Sequence, residues 1–140
     1  MDCAVVVVVF SVSFVNLHAE VLRRIWSRQD PAGALGQLES GCSGSGISAE
    51  EAFCASLFDV SGMAYTAEQV SAWLSELGLK IVANRGIRAF ADYVPREHLR
   101  DPVFFDTLLR LEKAAADRAP YKHMARYVHL LARAPGGTAY

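Results

Sequence analysis

The feature that most constrains the fold is an apolar run near the amino terminus: Val5 to Val9, then Phe10, Ser11, Val12, Ser13, Phe14 and Val15. β-Branched side chains lose rotamer freedom on a helix and pack well on a pleated surface, so the run reads as a strand. It is continuous rather than alternating, which predicts a central parallel strand covered on both faces. At about a dozen residues it falls short of the roughly 20 that a membrane-spanning helix needs. The residues before it carry Asp2 and no Lys or Arg, the wrong charge for a secretory leader. Residues 4–15 as a leader or anchor remain the competing reading.

Composition bounds the rest. The chain has 140 residues, 52% hydrophobic and 21% charged, with a formal net charge of −1. That describes one folded α/β-sized domain and excludes a disordered, collagen-like or disulfide-scaffold chain. The near-zero net charge argues against a histone-like electrostatic binder of nucleic acid, while leaving room for a local basic patch. The charges are unevenly spread. Residues 1–65 hold three Lys and Arg against seven Asp and Glu, whereas residues 66–140 hold eleven against eight. The second half is therefore the better place for an anion. Cys3, Cys42 and Cys54 have no paired spacing, so they fit a reducing, cytoplasmic setting as ordinary small apolar residues.

The chain divides into 1–29 (strand and helix), 30–64 (irregular, a candidate mobile lid), 65–135 and a frayed tail at 136–140. Asn16 suits an N-cap, and Leu17, Val21, Leu22, Ile25 and Trp26 form a helical stripe through Arg28. Asp30-Pro31 ends that helix or starts a short new one. Gly41 to Gly46 reads as loop, and Ser48-Ala49-Glu50-Glu51 as a capping box for a short helix to about Leu57. Thr66-Ala67-Glu68-Gln69 is a second capping box, closed by Gly78 as a C′ glycine. Leu79 to Ala83 reads as a strand, Asn84-Arg85-Gly86 as a turn, and Ile87 to Tyr93 as extended. Asp101-Pro102 opens a helix to about Asp117, with Phe104, Phe105, Leu108, Leu109 and Leu111 as its apolar surface. Arg126 to Arg133 is a final strand. The order predicts an α/β domain with about three strands and flanking helices.

Standard catalytic motifs are missing. No P-loop, HExxH or GxSxG occurs, and the glycines at 41–46 follow no apolar strand, as a dinucleotide-binding turn would require. His123 and His129 lack the spacing of a metal pair, and no metal is expected.

Three segments together carry a resemblance: Phe14-Val15-Asn16-Leu17-His18; Gly86-Ile87-Arg88-Ala89-Phe90-Ala91-Asp92-Tyr93; and Pro120-Tyr121-Lys122-His123-Met124-Ala125-Arg126-Tyr127-Val128-His129, ending Ala132-Arg133. They resemble the C-terminal half of bacterial class I S-adenosylmethionine-dependent methyltransferases of the tRNA 5-carboxymethoxyuridine methyltransferase type. Residues 66–78 and Leu108-Leu109-Arg110-Leu111-Glu112 resemble two helices of the same family. Val15 stands where the family has Tyr, Ala91 where it has His, and Ala125 where it has Gly.

The resemblance implies the C-terminal half of a Rossmann-like sheet with its last strand antiparallel. It implies methyl transfer from S-adenosylmethionine to a carboxylate on a wobble uridine, with tRNA as partner. It further implies that this chain supplies the acceptor side, lacks the glycine-rich donor site and is inactive alone. The alternative is a non-catalytic binding module that pairs with a donor-binding subunit, or with itself, through the first strand. A carboxylate acceptor calls for Arg as a two-pronged donor, aided by Tyr and His. Asn16 and His18 are candidates for orienting substrate, and Arg88 and Tyr93 for holding the anion. Arg126 and Tyr127 are further candidates, with Arg23 and Arg24 for backbone contacts. Each has a structural alternative: Asn16 as a cap, His18 as a solvated first-turn residue, Arg88 paired with Asp92, and Tyr93 and Tyr127 as core aromatics. His129 reads as a satisfied core histidine.

Overall fold

The computed structural model describes residues 8–40 and 64–135. Strand β1 (Val9–Asn16) leads without a break into helix α1 (Leu17–Arg28), and α2 (Pro31–Ser40) follows. Then come β2 (Ala64–Tyr65), α3 (Ala67–Glu76), β3 (Lys80–Ile87), α4 (Pro102–Ala115), the one-turn α5 (Tyr121–Met124) and β4 (Tyr127–Arg133). Short 3₁₀ turns at Ala91–Tyr93 and His98–Arg100 lie between β3 and α4. The predicted helix at 48–57, the glycine loop at 41–46, Cys3, Cys42, Cys54 and the tail at 136–140 fall outside the described residues. The lid reading of 30–62 does so in its greater part.

The fold is α/β, with a mixed sheet in the order β2-β1-β4-β3. β1 is parallel to β2 and antiparallel to β4, and β4 is antiparallel to β3. The final strand thus runs antiparallel, as the resemblance implies. The described sheet has four strands rather than three. The addition, β2, is two residues long, too short to leave a periodic signal.

The apolar run behaves differently from expectation. Val9 and Phe10 are exposed, and burial begins only towards Phe14 and Asn16. The strand is covered where it meets the core, not along its length. That core gathers Phe14, Tyr65, Val70, Leu74, Val128, Leu130 and Ala132 on one face of the sheet beneath α3. Leu130 is fully buried, a placement worth about 1.5–3 kcal/mol for a side chain of its size. Phe14 and Trp73 both meet Tyr65 edge-on, at 6.5 and 5.3 Å between centroids. On α1 only Leu17 of the predicted stripe is buried, while Leu22, Ile25 and Trp26 are exposed. On α4 likewise, Leu108 is buried and Phe105, Leu109 and Leu111 face outward.

The caps follow the sequence closely. The Thr66 hydroxyl accepts from Gln69 N–H at 3.1 Å, and the Gln69 side chain accepts from Thr66 N–H at 2.9 Å. The Asp101 carboxylate accepts from Val103 N–H, with Pro102 in the first helical turn. Gly78 ends α3 in the left-handed region, φ +78°, which glycine adopts without a Cβ penalty.

The predicted turn at Asn84-Arg85-Gly86 is instead the body of β3, paired residue for residue with β4. Asn and Gly favour turns in isolation, but a neighbouring strand supplies the ladder that overrides the preference. Gly86 is needed here for space. A Cβ would lie 2.7 Å from the Ala125 methyl and 2.7 Å from the Lys122 Cα. The segment from Ile87 to Tyr93 is not extended either, because β3 stops at Ile87 and the chain tightens into the turn Ala91–Tyr93. A bulge also interrupts β3: Ile81 faces Ala132 and Ala83 faces Leu131, so Val82 is the extra residue. The bulge sets the register that places Ile87 opposite Tyr127, and so brings Arg88 beside Arg126.

Candidate functional site

The end of β1, the end of β3 and the start of β4 lie on one edge of the sheet, where α/β sheets gather ligand-binding loops. A cleft of about 320 Å³ opens there. One wall is α1, through Glu20, Arg23 and Trp26. The other is the segment after β3, through Arg88, Asp92, Tyr93 and Arg96. Met124 and Arg126 close the end.

Four guanidinium groups face this cleft, against the carboxylates of Glu20 and Asp92. Asp92 is shared. One of its oxygens accepts from Arg88 Nη2 and the other lies 3.2 Å from Arg126 Nη1. Glu20 pairs with Arg23 at 3.1 Å, on the same face of α1. Among the described residues Arg96 makes no ion pair. Arg126 also lies over the Tyr127 ring, 5.4 Å from its centroid. Burial by itself would lower the Arg126 pKa; Asp92, Tyr127 and Glu20 outweigh it and hold the group above its ordinary value. These pairs are partly solvated, so they contribute little to stability and act chiefly by fixing where the guanidinium groups point.

The backbone beneath Arg88 is tightly determined. Arg88 adopts φ +62°, the left-handed region that a residue with a Cβ rarely enters. Its carbonyl accepts from Arg126 N–H at 3.1 Å. The next three N–H groups all donate to the carboxylate of Glu112 on α4: Ala89 at 2.8 Å, Phe90 at 2.9 Å and Ala91 at 2.8 Å. Such over-determination is what allows a strained conformation to persist at a site. Glu112 is the residue that sequence reasoning missed as a site builder, because its backbone partners are far away in sequence. Sequence alone places Asp92 only as the structural partner of Arg88; the structure adds Arg126 as its second partner.

At the cleft mouth Trp26 meets Tyr93 edge-on, 5.8 Å between centroids and 76° between planes. Trp26 is 71% exposed, unusual for a side chain that normally buries 150 Å² or more.

Of the sequence candidates, Arg88, Tyr93, Arg126 and Arg23 line the cleft. Asn16, His18, Tyr127 and Arg24 do not. Asn16 is 1% exposed. Its amide donates to the carbonyls of His123 and Ala125, both at 2.8 Å, and its oxygen caps α1 through His18 N–H at 3.2 Å. It ties the start of α1 to the segment before β4 that carries Arg126. His18 is exposed on the first turn of α1. Arg24 binds Asp30 and Gln37, holding α2 against α1. His129 meets the Ser11 hydroxyl at 2.7 Å on a half-exposed strand face, so it is satisfied, but not in the core.

The junction of β1 and α1 carries no glycine, and Asn16 there is buried and hydrogen-bonded. The glycines at 41–46 follow a helix, α2, rather than a strand. Among the described residues no group of three or more His, Cys, Asp and Glu could hold a metal ion, and no helix is long and apolar enough to cross a membrane.

No protein-family model matches the chain. Two curated proteins are similar to it, the tRNA 5-carboxymethoxyuridine methyltransferases of Escherichia coli strain K12 and Escherichia coli O157:H7. Each is 37% identical over 67 residues, 48% of this chain and 25% of the relative. The matched span is about a quarter of the length of those relatives, and over that span the chain is similar to part of a tRNA methyltransferase, the resemblance that its motifs carry.

Proposed function

We propose that the cleft is the acceptor side of a methyl-transfer site and holds a carboxylate-bearing nucleoside, such as a modified wobble uridine of tRNA. The observation that carries this reading is the convergence of Arg23, Arg88, Arg96 and Arg126 with Tyr93 around one small cleft, two cationic groups in excess of Glu20 and Asp92. A carboxylate is already nucleophilic, so the protein's work is to fix it in place and exclude water rather than to remove a proton. Guanidinium groups suit this work because they bind carboxylates through two parallel donors without giving up a proton. Trp26 and Tyr93 would take the ring of the same ligand. The donor in this reading is S-adenosylmethionine, which supplies the methyl group when bound.

The test is titration with 5-carboxymethoxyuridine monophosphate and with uridine monophosphate. The carboxylated nucleotide binds more tightly, and Arg126→Gln removes the difference. Equal binding of the two nucleotides would reject the reading. S-adenosylmethionine is expected to show no measurable binding to this chain alone. Labelled-methyl transfer from S-adenosylmethionine to the nucleotide, in the presence of a donor-binding partner, separates a catalytic half from a binding module.

A further inference from the structure

Asp92 occupies the two guanidinium groups best placed to hold an anion. Its two oxygens are divided between Arg88 and Arg126, and its side chain is 23% exposed, between partners at 46% and 27%. The carboxylate therefore stands where a ligand carboxylate or phosphate would engage the same pair. We infer that Asp92 is an internal competitor that sets the specificity of the cleft: it excludes small free anions, so a ligand gains entry only by bringing a second contact along with its charge. This inference rests on the reading of the cleft as an anion site.

Effective concentration decides the competition. A carboxylate tethered four residues from one arginine and packed against the other competes from within the molecule, at an effective concentration on the order of mM or higher. A free phosphate or acetate ion offers the guanidinium groups nothing that Asp92 does not, and it forfeits translational freedom on binding. A ligand whose anion is joined to a planar ring gains a further contact at the aromatic pair Trp26 and Tyr93, which form the rim of the same cleft. Asp92 also reduces the charge presented by the triad from two positive units to one. Binding of simple ions is thereby weakened again. No backbone hydrogen bond depends on the Asp92 side chain among the described residues, so replacing it leaves the main-chain framework of Glu112 and Arg126 in place.

The experiment is calorimetric titration of the 140-residue chain and Asp92→Asn with inorganic phosphate, with circular dichroism to confirm folding. The amide keeps the shape and one acceptor but not the charge. Phosphate is expected to bind the variant roughly tenfold more tightly than the parent chain, and Arg88→Gln added to Asp92→Asn removes that gain. Asp92→Ser is measured in the same way, so that misfolding of one variant does not leave the question open. Equal phosphate affinity in the parent and the folded variants overturns the role of Asp92 while leaving the anion site standing. A gain that survives loss of Arg88 overturns it too, because the ion then sits elsewhere. No phosphate binding by any form overturns both this inference and the anion-site reading beneath it.

Discussion

The main-chain N–H of Arg126 donates to the carbonyl of Arg88 at 3.1 Å, so two arginines far apart in sequence are joined at the backbone before their side chains meet Asp92. The bond forms where β3 and β4 leave their ladder, and it makes the spacing of the two guanidinium groups a property of the sheet. The strain at Arg88 and its position in the cleft are therefore separable.

Replacing Arg88 by glycine tests that separation. Glycine relieves the left-handed backbone, worth about 1–2 kcal/mol, but raises the entropy of the unfolded chain by about 0.4–1 kcal/mol. Arg88→Gly is thus expected to unfold in urea within about 1 kcal/mol of the parent chain, while losing affinity for the carboxylated nucleotide. A loss of stability beyond about 2 kcal/mol would show that the Arg88 side chain itself supports the fold.

Glu112 is the support of the cleft wall. Truncation in Glu112→Ala leaves three backbone N–H groups without their acceptor, and a stability loss of about 2–3 kcal/mol is expected by denaturant unfolding. Glu112→Gln retains the oxygen that serves Phe90 and Ala91 and loses the acceptor for Ala89, so its cost should be roughly half as large. Equal losses in the two variants would show that the bonds matter less than the packing of the side chain.

Asn16 offers a contrast between anchoring and substrate contact. Asn16→Ala removes a helix cap and strands the carbonyls of His123 and Ala125 in a buried setting, an expected loss of about 2–4 kcal/mol. Asn16→Asp should also destabilise, because a carboxylate cannot donate and would face two carbonyl oxygens. If either variant unfolds like the parent chain in thermal melts, Asn16 is not the anchor described.

Asp30 governs the joint between α1 and α2 and gives it a pH dependence. Its carboxylate accepts from Gly33 N–H at 2.9 Å and from Arg24 at 3.0 Å. The Gly33 bond, opposed by desolvation and aided by Arg24, lowers its pKa below the ordinary 3.8. A lowered folded-state pKa means that the contribution is complete above 3.8 and is lost as the pH falls through the lowered value. Asp30→Ala should therefore be less stable than the parent at neutral pH, and the gap should close on acidification below 3.8. A gap that stays constant with pH would place the effect in packing rather than charge.

Local signals were legible at four caps, though not at Gly86, where the turn reading failed. The Thr66 box, Asp101-Pro102, Asn16 and Gly78 each act within three or four residues of chain, and each stands where the sequence places it. Burial was less legible. The stripes on α1 and α4 are real periodicities, yet Trp26, Ile25, Phe105 and Leu109 face outward, because apolar spacing specifies a face without specifying what covers it. The site was legible in part. Arg88, Tyr93, Arg126 and Arg23 do meet in one cleft. Asn16 serves as cap and tie. The pairing of Asp92 with Arg88 was legible at four residues' spacing, but its second partner Arg126 and the role of Glu112 emerged only when distant segments were brought together.

The sequence by itself determined the principal strands and helices apart from the two-residue β2, the caps at Asn16, Thr66 and Asp101, and the resemblance to part of a tRNA methyltransferase, because each depends on neighbours along the chain or on residue identity alone. Only the tertiary structure decided that Asn84 to Gly86 is strand rather than turn, that a bulge at Val82 sets the register, and that one aspartate divides itself between two arginines. Those outcomes depend on strand pairing across long loops. A shift of a single residue in that pairing would turn each side chain to the opposite face and separate Arg88 from Arg126.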